Sequence, residues 1–237
     1  MITGGSRGLG RAIGTTLARH GARVAFTWSR SQPDADAARA AIAAAGCEPL
    51  VFQGSVADAA HADAVVRALV AQWQGIDVFI HCAGVSQVLP IALLDEADWD
   101  HVMDVHVKGA YLFARAVLRP MIRARAGNIL TIGSFSSERI VDAPVHYAAA
   151  KSALRGLTEA LAREVGRYHI AVNLLAPGLM DTGLGLMLPQ YRIDEYLSQC
   201  ALNRLATVQE VADMAVFLVS GSNTFMAGAK VAIDGGL

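Results

Sequence analysis

Thr3-Gly4-Gly5-Ser6-Arg7-Gly8-Leu9-Gly10 is the stretch that decides the fold. It follows the apolar Met1-Ile2 and runs into a helical pattern from Arg11 to His20. Glycines at 4, 8 and 10 permit a tight turn and a close approach of backbone to a pyrophosphate. The helix that follows supplies free N–H groups and the positive end of its dipole. Such a turn also arises for purely structural reasons, so its surroundings have to decide.

Working outward, the chain alternates short β-rich runs with longer helical patterns. Strands are expected at Arg23–Trp28, Pro49–Phe52, Asp77–His81, Ile129–Ile132, Ile170–Leu175 and Lys230–Ile233. Helices are expected at Asp34–Ala45, Ala59–Trp73, Glu96–Ala124 (bent near Pro120), Tyr147 to Tyr168 and Val208–Ser220. Apolar strands alternating with helices imply a parallel sheet covered on both faces, the doubly wound α/β plan, in a single domain over residues 1–237. Residues 183–206 break the rhythm. They are apolar for a connection, contain Pro189, and follow Pro177-Gly178 at a strand's carboxyl end, where open α/β sheets bind ligands; they read as a substrate lid.

The composition narrows the function. Of 237 residues, 54% are apolar and 17% charged, enough for a large core, and the net charge of −1 gives no reason to expect nucleic-acid binding. Cys47, Cys82 and Cys200 are far apart and odd in number, which suits a reducing compartment rather than a disulfide framework or a zinc site. No signal peptide and no stretch of transmembrane length is visible, so a soluble cytoplasmic protein is expected.

The chemistry gathers around Gly133–Lys151, which starts where the apolar run Ile129–Ile132 ends. Tyr147 and Lys151 are four residues apart, on one face of a helix. An ammonium beside a phenol favours phenolate, which is expected to bring the tyrosine below its ordinary value of about 10. Ser134 sits on the preceding loop, where its hydroxyl can meet a substrate oxygen. At the nucleotide end, the second strand finishes Thr27-Trp28-Ser29-Arg30, with no carboxylate at the position that reads a ribose 2′-hydroxyl. Arg7 and Arg30, with Ser29, are available to a 2′-phosphate, so NADP(H) is expected over NAD(H).

Several motifs now stand in order: Thr3-Gly4-x-x-x-Gly8-x-Gly10, His81-Cys82-Ala83-Gly84, Ser134, Tyr147-x-x-x-Lys151, Asn173 with Pro177-Gly178, and Asp234-Gly235-Gly236. Over nearly its whole length the chain resembles the short-chain dehydrogenase/reductase family, with a likeness to its 3-oxoacyl-[acyl-carrier-protein] reductases in Ile132-Gly133-Ser134, Tyr147–Lys151 and Leu161-Ala162-Arg163-Glu164-Val165. The resemblance implies a Rossmann-like sheet of about seven strands. It implies that Tyr147 protonates the carbonyl oxygen, that Ser134 holds that oxygen, and that Lys151 binds the nicotinamide ribose, tunes Tyr147 and passes on the proton. Gly4, Ser6, Arg7, Gly8, Leu9 and Gly10 would cradle the pyrophosphate, Ser55 and Val56 the adenine, Ala83 and Gly84 the adenosine ribose, and Pro177, Gly178 and Thr182 the nicotinamide end. Phe135, Val141, Pro144, Met180 and Leu184 would form an apolar substrate wall.

The chain departs from the family pattern at four places. His106, in Asp104-Val105-His106-Val107-Lys108-Gly109, occupies the place of an asparagine that holds a relay water; either it substitutes there and adds a titration near pH 6.5, or it only fills space. Ser55 stands where an aspartate often reads the adenine. His81-Cys82 replaces two asparagines and reads as structural. The first strand is short or truncated, or the given start is not the natural one. By the same resemblance, Arg125 matches a basic position that docks an acidic acyl carrier protein, with Arg167 beside a second, near the active-site mouth. The resemblance further implies a homotetramer, with a dimer as the alternative, and the small residues Ala149, Ala153, Gly156 and Ala160 allow close helix–helix contact. Three functions remain open: an NADPH-dependent reductase of 3-oxoacyl thioesters in fatty-acid or polyketide-type synthesis; a reductase or dehydrogenase of a free hydrophobic ketone or secondary alcohol; and a weakly active nucleotide-binding subunit of a hetero-oligomer.

Overall fold

A computed structural model gives the fold and describes every residue except Glu138, Ile140, Leu184, Leu186 and Met187. In chain order the elements are β1 (Ile2–Thr3), α1 (Gly8–Arg19), β2 (Ala25–Trp28), α2 (Gln32–Ala44), β3 (Leu50–Gln53), α3 (Ala59–Trp73), β4 (Val78–His81), α4 (Glu96–Met103), α5 (Gly109–Ala124), β5 (Gly127–Ile132), α6 (Val145–Val165), β6 (Ile170–Pro177), α7 (Gln190–Gln199), α8 (Val208–Val219) and β7 (Lys230–Ile233). The seven strands pair in parallel in the order β3-β2-β1-β4-β5-β6-β7. The order reverses between β1 and β4, so a crevice opens at the carboxyl ends of these strands.

Successive residues of each strand point to opposite faces, which sorts the core into two layers. Phe79, Ile129 and Val172 face α3, α5 and α6 through Val65, Leu69, Phe113 and Val165. Ile80, Leu130 and Leu175 face α1, α2 and α8 through Ile13, Ile42 and Val211. Phe79 and Phe113 stack with ring centroids 6.1 Å apart, fixing α5 over the centre of the sheet.

The central strand β1 has two residues, yet it is firmly placed. Ile2 pairs with Phe26 and Ile80, Thr3 with Thr27 and His81, and Gly5 N–H continues the ladder to Thr27 O at 3.1 Å. Thr3 adds side-chain bonds, its hydroxyl accepting from the N–H groups of Cys82 (3.2 Å) and Ala83 (3.3 Å).

The long helix expected over Glu96–Ala124 is instead interrupted at Asp104–Lys108, one π-helical turn, while Pro120 lies inside a continuous α5. The widened turn hydrogen-bonds five residues back, an arrangement with no composition signal and one that tends to occur at functional sites. Among the described residues no helix is long and apolar enough to cross a membrane.

Candidate active site

The glycine turn is built as its sequence requires. Gly4 has φ +69°, and a Cβ there would lie 2.7 Å from the Ala83 Cα, so only glycine lets the turn press against the exit of β4. Arg7 caps α1 with no side-chain hydrogen bond, and the first turn of α1 holds no acidic residue. The N–H groups of Gly8, Leu9 and Gly10 are thereby left for an anion. Ser6 is half-buried beside them, and Arg7, Ser29 and Arg30 are exposed at the rim. Arg30 Nη2 lies 3.1 Å from His101 Nε2 on α4. The exposed Ser55 hydroxyl accepts from Ala57 N–H, and the buried Val56 packs against Gly109. Ala83 is buried and Gly84 exposed at the end of β4, on the other side of the turn.

At the end of β5 the expected trio comes together. Ser134 is buried; its Oγ accepts from Ser136 N–H at 3.2 Å and from Ser136 Oγ–H at 3.0 Å. With both lone pairs engaged, its own proton is free for Tyr147, to which it is hydrogen-bonded. Lys151 Nζ donates to Ile132 O at 2.6 Å and lies 5.5 Å from the centroid of the Tyr147 ring. Strand β5 thus anchors both partners: its last carbonyl fixes the ammonium, and the loop after it supplies the serine.

The electrostatics correct one expectation. Lys151 does not bring Tyr147 below its ordinary value. Burial dominates and pushes the phenol up to about 12, against the opposing hydrogen bond from Ser134. Burial likewise pulls Lys151 down to about 8 and raises the neighbouring Cys82 thiol to about 11. At neutral pH the site therefore presents a protonated phenol, a lysine close to its titration point and an unreactive thiol. A phenol so held is suited to giving a proton rather than storing a negative charge.

His106 is carried inward by the π turn and is 1% exposed. Its ring stands edge-on to Tyr147, centroids 5.5 Å apart, and rests on Gly84, where a Cβ would lie 2.6 Å from His106 Cε1. Nε2 contacts Val85 N (3.1 Å) and Val85 O (2.8 Å), while Nδ1 is buried without a partner. Burial, and then the Lys151 charge, hold this imidazole well below the usual histidine range. The expected titration near pH 6.5 is thus displaced: His106 is neutral at neutral pH. His81 is buried, bonded through Nδ1 to Thr3 Oγ1 at 3.0 Å and lowered to about 3 by burial, which fits a structural role.

Phe135 meets Tyr196 of α7 edge-on, centroids 5.4 Å apart, and Tyr196 O–H donates to Asp234 O at 2.9 Å. Asp142, on the loop after Ser134, forms an ion pair with Arg192 of α7. Gly178 N–H donates to Ile233 O at 2.9 Å, and Tyr196 covers the place where a Gly178 side chain would be. Pro177 is buried, and Thr182, Val141, Pro144 and Met180 are half-buried along this side. Leu184, expected in the substrate wall, lies outside the described residues. Tyr196, in sequence only one residue of the apolar segment 183–206, ties α7 to the Ser134 loop and the last strand through contacts far apart in the chain.

Arg125 and Arg167 come together, Arg125 Nη2 donating to Arg167 O at 3.1 Å, but not at the mouth of the site. Arg125 precedes β5 and Ser134 follows it; Arg167 precedes β6 and Gly178 follows it. The patch and the trio are at opposite ends of these strands, about 20 Å apart for a six-residue strand such as β5. The expectation of a docking surface beside the active-site mouth of the same chain is therefore corrected.

A family model described as "Enoyl-(Acyl carrier protein) reductase" matches residues 4–237. The 3-oxoacyl-[acyl-carrier-protein] reductase FabG of Chlamydia muridarum is 33% identical over the full chain and 96% of its own length. That of Escherichia coli K12 is 31% identical with the same coverage. Among solved structures, a short-chain dehydrogenase/reductase from Serratia marcescens superposes with TM-score 0.92 at 33% identity, covering 99% of this chain and 95% of that one. A short chain dehydrogenase from Burkholderia cenocepacia in complex with NADP gives TM-score 0.91 at 32% identity, covering 99% and 96%.

Proposed function

This chain belongs to the short-chain dehydrogenase/reductase family, and we propose that within it the chain reduces the ketone of a 3-oxoacyl thioester carried on an acyl carrier protein. It is an NADP(H)-dependent oxidoreductase acting between C=O and CH–OH. The observation that carries the ketone chemistry is the hydrogen-bonded Ser134–Tyr147 pair beside an anchored Lys151. Four features fit the cofactor: the uncapped α1 N-terminus, the close approach at Gly4, the absence of a carboxylate after Trp28, and the exposed Arg7 and Arg30.

NADPH, when bound, supplies the hydride that adds to the carbonyl carbon. Tyr147 gives its proton to the carbonyl oxygen as that oxygen gains charge. Ser134 donates a hydrogen bond to the same oxygen and holds it against the phenol. Lys151 restores the Tyr147 proton, and its charge favours the transient phenolate. The products are a secondary alcohol and NADP⁺, and one proton taken up from solvent at Lys151 returns the enzyme to its starting protonation. Residues 183–206 act as the lid: the Asp142–Arg192 ion pair and the Phe135–Tyr196 contact fasten α7 over the Ser134 loop. The apolar Phe135 and Met180 suit an acyl chain. This substrate places the reaction in fatty-acid or polyketide-type synthesis.

The test is NADPH oxidation with an acetoacetyl thioester on carrier protein, with the same acyl group on a small thiol, with free hydrophobic ketones and with a crotonyl thioester. The carrier-bound 3-oxo substrate is expected to give the highest kcat/KM, and the crotonyl thioester none. A higher value for a free ketone would establish the second reading instead, which the distance of Arg125 and Arg167 from the trio favours. The intact trio argues against a subunit without activity.

A further inference from the structure

We propose that His101, on α4, reads the 2′-phosphate of NADPH together with Arg30 and so sets the choice between NADPH and NADH. The inference rests on the NADP(H) reading of the cleft. Arg30 follows β2 and His101 lies on an element that follows β4, 71 residues away, yet Nη2 and Nε2 are 3.1 Å apart. Strand β1 runs between β2 and β4, and the glycine turn begins at its end. The contact therefore crosses the crevice in which that turn would hold a dinucleotide. It joins the rim that reads the adenosine end to a helix that also packs on α6 and on the π turn.

The chemistry of the pair suits a dianion. His101 is the one basic side chain of α4, whose sequence is Glu96-Ala97-Asp98-Trp99-Asp100-His101-Val102-Met103. No carboxylate pairs with Arg30 among the described residues; its partner is the His101 ring nitrogen, which leaves the guanidinium charge uncompensated. A carboxylate there would compete with phosphate, whereas an imidazole can change sides. It accepts from the guanidinium at Nε2 in one tautomer, and in the other Nε2 donates to a phosphate oxygen. A 2′-phosphate between the two would then accept from both. Arg7, exposed at the start of α1, stands on the same rim. NADH, lacking the phosphate, gains nothing from His101.

The experiment measures Kd for NADPH, NADH and 2′,5′-ADP with wild type, His101→Ala, His101→Lys and Arg30→Ala. His101→Ala is expected to raise Kd for NADPH and for 2′,5′-ADP on the order of fivefold, as for an exposed charged contact, and to leave NADH unchanged. His101→Lys, which keeps a donor, is expected to retain tight 2′,5′-ADP binding. An unchanged 2′,5′-ADP affinity in His101→Ala, or an equal loss for NADPH and NADH, overturns the proposal. Arg30→Ala separates the two layers. If it weakens 2′,5′-ADP while His101→Ala does not, the phosphate site at Arg30 stands and His101 is no part of it. If neither variant has an effect, both assignments fall.

Discussion

At the scale of single residues, the site works by keeping protons where they are needed. Tyr147 holds its proton because burial outweighs the Ser134 hydrogen bond, so removing that hydroxyl removes the acid itself. Tyr147→Phe is expected to lower kcat by about 10²–10⁴-fold with little change in NADPH Kd, measured by single-turnover absorbance and fluorescence titration. Lys151 titrates first as pH rises. Its value is depressed to about 8, so the ammonium is present below that pH and lost above it, while Tyr147 keeps its proton until about 12. At limiting NADPH, kcat/KM for reduction should be level through neutrality and then fall about tenfold per pH unit above about pH 8. A profile still level at pH 10 would remove Lys151 from this role. His106, held neutral by burial, should add no inflection of its own, and His106→Asn should give a profile of the same shape. A wild-type inflection near pH 6.5 that vanishes in His106→Asn would show that the imidazole titrates after all.

At the scale of elements, the proposed lid includes α7, which is held by the Asp142–Arg192 ion pair and by one aromatic side chain. Tyr196 sits against Phe135 through its ring and against Asp234 through its hydroxyl, and the two ties can be cut separately. Tyr196→Phe removes the hydroxyl that donates to Asp234 O and accepts from the Leu179 backbone, about 1 kcal/mol for each bond, and should lower Tm by about 4–8 °C with KM unchanged. Tyr196→Ala also removes the ring contact and should raise KM for the acyl thioester but not for NADPH; an unchanged thioester KM would show that residues 183–206 do not close on the substrate. The alternation of strands and helices, the glycine turn and the Tyr147–Lys151 pair were legible in the sequence, because each depends on spacing within one element or its immediate neighbour. The π turn at 104–108 was not, since Asp104-Val105-His106-Val107-Lys108 reads as ordinary helix and only packing on Gly84 and Tyr147 shows the change of phase. Arg30–His101 and Asp142–Arg192 were hidden for a similar reason: each joins side chains from elements far apart in the chain. The tyrosine's direction of shift was misread because spacing reports a nearby charge and says nothing of burial.

At the scale of the whole molecule, the open question is how a carrier could serve a site so far from the basic patch that would hold it. Arg125 and Arg167 lie at the amino ends of β5 and β6, and Ser134 and Gly178 at their carboxyl ends. We propose that a carrier docked on that patch presents its acyl group to a different copy of the chain, which makes docking and oligomerisation one proposal. Helix α6 offers a face for pairing. Ala149 and Ala153 are half-buried, Gly156 and Ala160 are exposed, and a Cβ at Gly156 would meet nothing within 4 Å in the single chain. Small residues of this kind let two helices approach to about 8 Å. Gly156→Arg should fold normally by circular dichroism, because nothing in the chain obstructs it, yet sediment as a smaller species than a wild-type dimer or tetramer. The same variant should lose activity on the carrier-bound thioester more severely than on the small thioester, because only the former needs a patch from another subunit. Wild type sedimenting as a monomer would end the pairing argument. Equal losses on the two substrates would leave the oligomer in place but separate it from carrier docking, and Arg125→Glu with Arg167→Glu would then be expected to leave KM for the carrier-bound substrate unchanged.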